Sequence, residues 1–205
     1  MIISMSDILC ITNRKLCKGD FLNRIQEIAA NHPAAIVLRE KDLPEAEYKE
    51  LASKVISICR EHQTPCILHN YYETAAELGV KSIHLPLGVL RGMNEEQKAV
   101  FTEIGSSCHS VEDALEAVRL GCTYIMAGHI FDTDCKKGLP GRGLEFLREV
   151  CASISIPVYG IGGIAAENAK SVLETGAKGI CIMSGMMQCE DVCSDFRKLE
   201  EALAI

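Results

Sequence analysis

At 205 residues, with 48% hydrophobic and 24% charged side chains, the chain has the length and composition of one globular domain, with no low-complexity or like-charge tract. A net charge of -7 excludes a broad phosphate-tracking surface for nucleic acid, and no apolar run approaches the roughly 18 residues of a membrane span. Eleven cysteines, an odd count with no CxxC pair and no apolar signal segment ahead of them, point to a reduced cytoplasmic protein rather than to a disulfide framework or structural zinc.

Eight short apolar runs follow one another along the chain: ILCIT at 8, AAIVLRE at 34, CILHN at 66, SIHLP at 82, IGSSC at 104, YIMAGHI at 124, PVYGIGG at 157 and GICIMSG at 179. They show little polar alternation, which suits strands covered on both faces. Between them lie amphipathic stretches such as EYKELASKVISICREH and SVEDALEAVRL, with apolar residues three and four apart. Ser110 is placed to cap the second of these, with Asp113 three residues on, and Gly121 to end it. Eight β/α units predict an α/β fold, a (β/α)8 TIM barrel forming a single domain over residues 1–205. An open doubly wound sheet is disfavoured because no G-x-G-x-x-G follows the first strand.

Barrel chemistry collects at the carboxyl ends of the strands, so the residues there are the candidate site. Arg39 and Lys41 alternate with Glu40 in LREKD; they can meet a carboxylate or phosphate, or form surface pairs with Glu40 and Asp42. His69 is a secondary candidate beside Asn70, and His84, among apolar neighbours, reads as a hydrogen-bonded barrel residue. Ser107 offers a hydroxyl, while His109 reads as part of a helix start. His129 ends the sixth strand before a loop of unusual length, the pattern of a lid. A metal held by His129 with Asp132, Asp134 and Cys135 is disfavoured, because those ligands crowd one short segment. After strands seven and eight come Gly162 and Gly163, then Ser184 and Gly185, the place where such barrels often hold a phosphate on backbone N–H groups. The alternative is that these glycines merely make tight turns.

The segments LREKD, GSSCHSVEDALEA, YIMAGHIFDTDCK, GLPGRGLEFLREV, IPVYGIGGI and GICIMSG, in this order over nearly the whole chain, resemble the thiamine phosphate synthase and TenI superfamily. The synthase branch joins a pyrimidine pyrophosphate to a thiazole phosphate and uses magnesium. At the positions where the resemblance puts its metal carboxylates, this chain has Asn70, in His69-Asn70, and Val89, in HLPLGV. The loop of His129, Phe131, Thr133, Asp134, Cys135, Lys136 and Lys137 is similar to that of the TenI branch, which implies a thiazole tautomerase, an isomerase. In that reading His129 moves one proton on a phosphorylated carboxythiazole without a cofactor. Arg39 or Lys41 meets the carboxylate, Asn70, Ser107, Thr133 and Lys136 contact substrate, and Gly162, Gly163, Ser184 and Gly185 hold the phosphate. The alternatives are a synthase, which alone calls for magnesium, and a binding protein without turnover. A homodimer is the family expectation.

Overall fold

The computed structural model describes residues 7–136 and 138–204. Strands β1 (Ile8–Ile11), β2 (Ala35–Leu38), β3 (Cys66–His69), β4 (Ser82–Pro86), β5 (Glu103–Cys108), β6 (Tyr124–Gly128), β7 (Val158–Ile161) and β8 (Gly179–Ile182) pair in sequence order, all parallel, and close through β1 and β8 into a barrel. The (β/α)8 expectation holds, and all eight apolar runs are strands.

Helices α1 (Phe21–Ala29), α2 (Glu45–Glu61), α3 (Tyr72–Glu77), α4 (Leu87–Gly92), α5 (Glu95–Lys98), α6 (Val111–Arg119), α7 (Gly143–Ser153), α8 (Ala166–Leu173), α9 (Ser184–Gln188) and α10 (Val192–Leu203) surround the strands. The longest, α2, buries Tyr48, Ala52, Val55 and Cys59, a stripe at steps of four, three and four, and carries Glu45 and Glu47 in its first turn, where the helix dipole favours acids. Ser110 caps α6 by accepting from the Asp113 N–H (3.1 Å), and Gly121 follows its end at φ 92°.

The strands lack polar alternation because they serve two cores. Ile8, Cys10, Ile36, Leu38, Leu68, Ile83, Leu85, Ile125, Ala127, Ile180 and Ile182 face the helices in one cluster. Their neighbours Leu9, Ile11, Ala35, Val37, Ile67, Tyr124, Met126 and Cys181 fill the barrel interior in another. The inward set, carried one step beyond the strands, decides which side chains reach the mouth. No helix among the described residues is long and apolar enough to cross a membrane.

Candidate functional site

A cavity of about 440 Å³ opens at the carboxyl ends of the strands. Arg39 and Lys41 line it although β2 ends at Leu38, because they continue the inward set of Ala35 and Val37. Glu40 between them points the other way. It is 2% exposed, accepts the Thr12 hydroxyl at 2.6 Å and the Arg14 backbone N–H at 3.1 Å, and pairs with the Arg14 guanidinium at 3.2 Å. The Thr12 hydroxyl oxygen in turn accepts the Arg39 N–H at 2.9 Å. Arg14 and Lys15 hold Asp42, and its carboxyl lies far below the usual range beside the Arg14 guanidinium. Lys41 has its ammonium pushed down by partial burial and by repulsion from Arg39 and Lys136, which places three cations within electrostatic reach of one another.

Beneath them sits a polar chain inside the barrel. His84 is buried, with Nδ1 3.1 Å from the Tyr124 hydroxyl and Nε2 2.9 Å from the Ser107 hydroxyl, and the His69 ring stacks on it at 6.0 Å. Only a residue without a side chain fits at 105, since a Cβ there would fall 2.0 Å from Cζ of Tyr124. Burial, reinforced by the other histidine and by Arg39 and Lys41, takes His69 down to about 2; burial with the same two cations takes His84 down to about 3. Both imidazoles are therefore neutral near pH 7. His84 is the hydrogen-bonded barrel residue expected, and it orients Ser107, which lines the cavity. Tyr48 from α2 ties two strand ends together: its hydroxyl donates to the Leu38 carbonyl at 2.8 Å and accepts the His69 N–H at 2.9 Å.

His129 lines the cavity at 8% exposure and lies 3.2 Å, through Nε2, from the Leu139 carbonyl. A carbonyl only accepts, so Nε2 carries the proton and donates, and the ring is committed to holding the loop. The same loop is stitched by the Gly141 N–H to Asp132 Oδ1 at 2.7 Å and by the Arg142 N–H to the His129 carbonyl at 2.9 Å. Thr133 and Lys136 reach the cavity from it; Lys137 lies outside the described residues, as does the side chain of Cys135.

On the far side of β1 the mouth is closed by Gly162, Gly163, Ser184 and Gly185. Gly162 and Gly163 have φ of 103° and 65°, and a Cβ would meet His129 Cβ at 2.4 Å from the first and the Asp132 carbonyl oxygen at 2.5 Å from the second. Close approach of the β6 loop thus demands both glycines, whatever they bind. Of the sequence candidates, Asn70 alone is not in the cavity lining; it sits at φ 72° past the end of β3, out of step with the inward Ile67 and His69. Sequence reasoning did not place Arg91, His109 and Asp113 at the mouth. His109 donates from Nδ1 to the Gly128 carbonyl at 2.7 Å and from its backbone to Asp113 at 2.8 Å, so a residue read as a helix start also braces β6.

The donor set does not fit a magnesium ion, which takes anionic and carbonyl oxygens. Asn70 lies outside the lining, and Val89 is apolar and packed against the helix-side core. Asp113 is the one carboxylate in the lining, and no group of three His, Cys, Asp or Glu side chains among the described residues is arranged to share a metal.

Fold and mouth together define a (β/α)8-barrel protein with a cation-rich cavity at the strand ends. A profile of the family described as Thiamine monophosphate synthase matches residues 8–186. The Thiamine-phosphate synthase of Clostridium acetobutylicum is 34% identical over 188 residues, covering 89% of this chain and 87% of its own. That of Syntrophomonas wolfei is 31% identical over 208 residues, 98% of each chain. The solved Thiamine phosphate pyrophosphorylase from Pyrococcus furiosus superposes with a TM-score of 0.83 at 29% identity, over 97% of this chain and 95% of that one. The chain belongs to the thiamine monophosphate synthase family.

These relatives overturn the tautomerase expectation and its placement in the TenI branch: matched over almost the whole chain, they carry the synthase name. That expectation rested on Asn70 and Val89 at the positions of the metal carboxylates and on one loop around His129, a short segment whose histidine the fold uses to hold the loop itself. The barrel as a whole is a longer and more discriminating pattern.

Proposed function

We propose that the chain is a thiamine-phosphate synthase, a transferase that joins a phosphorylated thiazole to a pyrimidine pyrophosphate and releases pyrophosphate. The observation that carries this reading is that one cavity has two separate anion anchors. Arg39 and Lys41, with Lys136 near enough to Lys41 to repel it, form one; the glycine and serine turns after β7 and β8 form the other, with β1 between those turns and the Arg39–Lys41 strand end. Two anchors suit a condensation of two phosphorylated molecules, one anion on each. The names of the whole-chain relatives support the same choice.

In this reading the thiazole phosphate rests on the N–H groups around Gly162, Gly163, Ser184 and Gly185, and the pyrophosphate lies against the cations. The bond from the pyrimidine carbon to the pyrophosphate oxygen breaks, the pyrophosphate leaves with the electron pair, and the thiazole supplies the pair for the new bond to that carbon. The cations stabilise the charge that gathers on the departing oxygen. Ser107, oriented by His84, contacts substrate between the anchors, Thr133 and Lys136 close over it, and His129 holds their loop. Release of pyrophosphate from a mixture of both substrates is the test, in magnesium and in chelator. Lys136→Ala is expected to lower kcat/KM by about 10- to 1000-fold, the range for losing a charged contact to a leaving group. No pyrophosphate under either condition refutes the synthase.

A further inference from the structure

We propose that this barrel holds pyrophosphate with protein cations alone, with no divalent metal ion bridging the anion to the protein. The choice of anion rests on the synthase reading; the means of holding it rests on the donor chemistry of the mouth.

Two ways exist to neutralise a pyrophosphate in a cavity. A hard divalent cation can bridge it to carboxylates, or guanidinium and ammonium groups can meet its oxygens directly. The first needs anionic oxygens aimed at the anion. Here the two chain positions that the family resemblance assigns to that task are an asparagine and a valine, both outside the lining, the valine half-buried against the helix-side core. Asp113 is occupied by the His109 N–H at 2.8 Å.

The second needs cations, and Arg39, Lys41 and Lys136 line the cavity; Arg91 lines it too, with its guanidinium held by the Glu116 carboxylate at 2.6 and 2.7 Å. The carboxylate best placed to neutralise the first pair, Glu40, is drawn away by Thr12 and Arg14. Lys41 is repelled by Arg39 and Lys136, a cost that an anion of high charge relieves. Burial, with a smaller push from Arg39 and Lys41, keeps His69 and His84 neutral, so the charge offered to the anion is that of the Arg and Lys side chains. With Arg39, Lys41 and Lys136 at the mouth, Arg91 paired with Glu116 and Asp113 already engaged, a divalent ion entering alone meets repulsion.

The experiment titrates inorganic pyrophosphate into the metal-stripped protein in EDTA and again with magnesium chloride in place of EDTA, following heat and melting temperature. Binding in EDTA is expected, with a Kd within about threefold of that in magnesium. Lys41→Met, at an exposed position that leaves folding intact, is expected to raise the EDTA Kd by about tenfold, the scale of one lost charge-assisted contact. Lys136→Met is expected to do the same. Pyrophosphate binding that appears only with magnesium overturns the proposal, as does absence of binding in both buffers or wild-type affinity in both variants. Failure of the synthase reading looks different: inorganic pyrophosphate still binds in EDTA, yet the two-substrate mixture releases none.

Discussion

Glu40 shows how much of the mouth is decided by one carboxylate that never faces it. Flanked by Arg39 and Lys41, it turns away from the cavity to take the Thr12 hydroxyl and the Arg14 backbone, and Thr12 takes the Arg39 N–H, so one buried oxygen pair sets the path of the chain past β2. Glu40→Ala leaves those donors buried without an acceptor and is expected to cost about 2–4 kcal/mol of unfolding free energy, read from urea denaturation. Stability within about 0.5 kcal/mol of wild type contradicts this account. Gly105 makes the complementary case, where the absence of a side chain is what matters. Gly105→Ala drives a methyl group into the Tyr124 ring and is expected to lower stability by about 1–3 kcal/mol, because that ring is fixed by its hydroxyl contact to His84 and its edge-on packing with Tyr159.

Strands β3 and β4 place His69 and His84 as register partners in the barrel interior, where both stay neutral in the folded chain down to about pH 2 and 3. An unfolded chain protonates them near pH 6.5, so below that value it binds more protons than the folded one and stability falls as pH falls, by about 1.4 kcal/mol per pH unit for each histidine. Above pH 6.5 their contribution is fully present; it drains away between 6.5 and the folded values. His69→Asn removes one of the two, and its stability loss from pH 7 to pH 5 is expected to be about 1–2 kcal/mol smaller than wild type's in paired denaturant titrations. At this scale the sequence was readable for a simple reason: most strands are short, largely apolar runs bounded by turn residues, β5 with its two serines being the most polar, and α2 carries a clear apolar stripe. What the runs hid was direction. With both faces buried, Ile83 and His84 carry no polar mark of which one points inward, and only the closed barrel assigns them. Tyr48 was hidden for a related reason, since its hydroxyl joins β2 to β3 only after α2 has packed across both.

For the molecule as a whole, the candidate site was legible as a set of strand ends, because a parallel barrel brings all eight ends to one rim whatever lies between them. The chemistry was less legible. The loop motif after β6 outweighed the rest of the chain, and the balance of charge at the rim could be counted only once Glu40 was seen to leave and Asn70 to lie outside the lining. That balance makes a prediction that no single residue makes. A chain of net charge -7 repels anions from most of its surface, while Arg39, Lys41 and Lys136 face one cavity. Attraction for a multiply charged anion is therefore local, and it is exposed to solvent ions because the cavity is open at the rim. At about 0.01 M salt the screening length of roughly 30 Å lets these cations act together, whereas at about 1 M it is roughly 3 Å and only groups in direct contact count. Inorganic pyrophosphate affinity is expected to fall by tenfold or more between those limits, with a shallower dependence after Lys41→Met because one long-range charge is gone. Calorimetric titrations across the salt series measure both slopes. A Kd indifferent to salt would mean that backbone N–H groups, which carry no net charge, hold the anion in place of the cations.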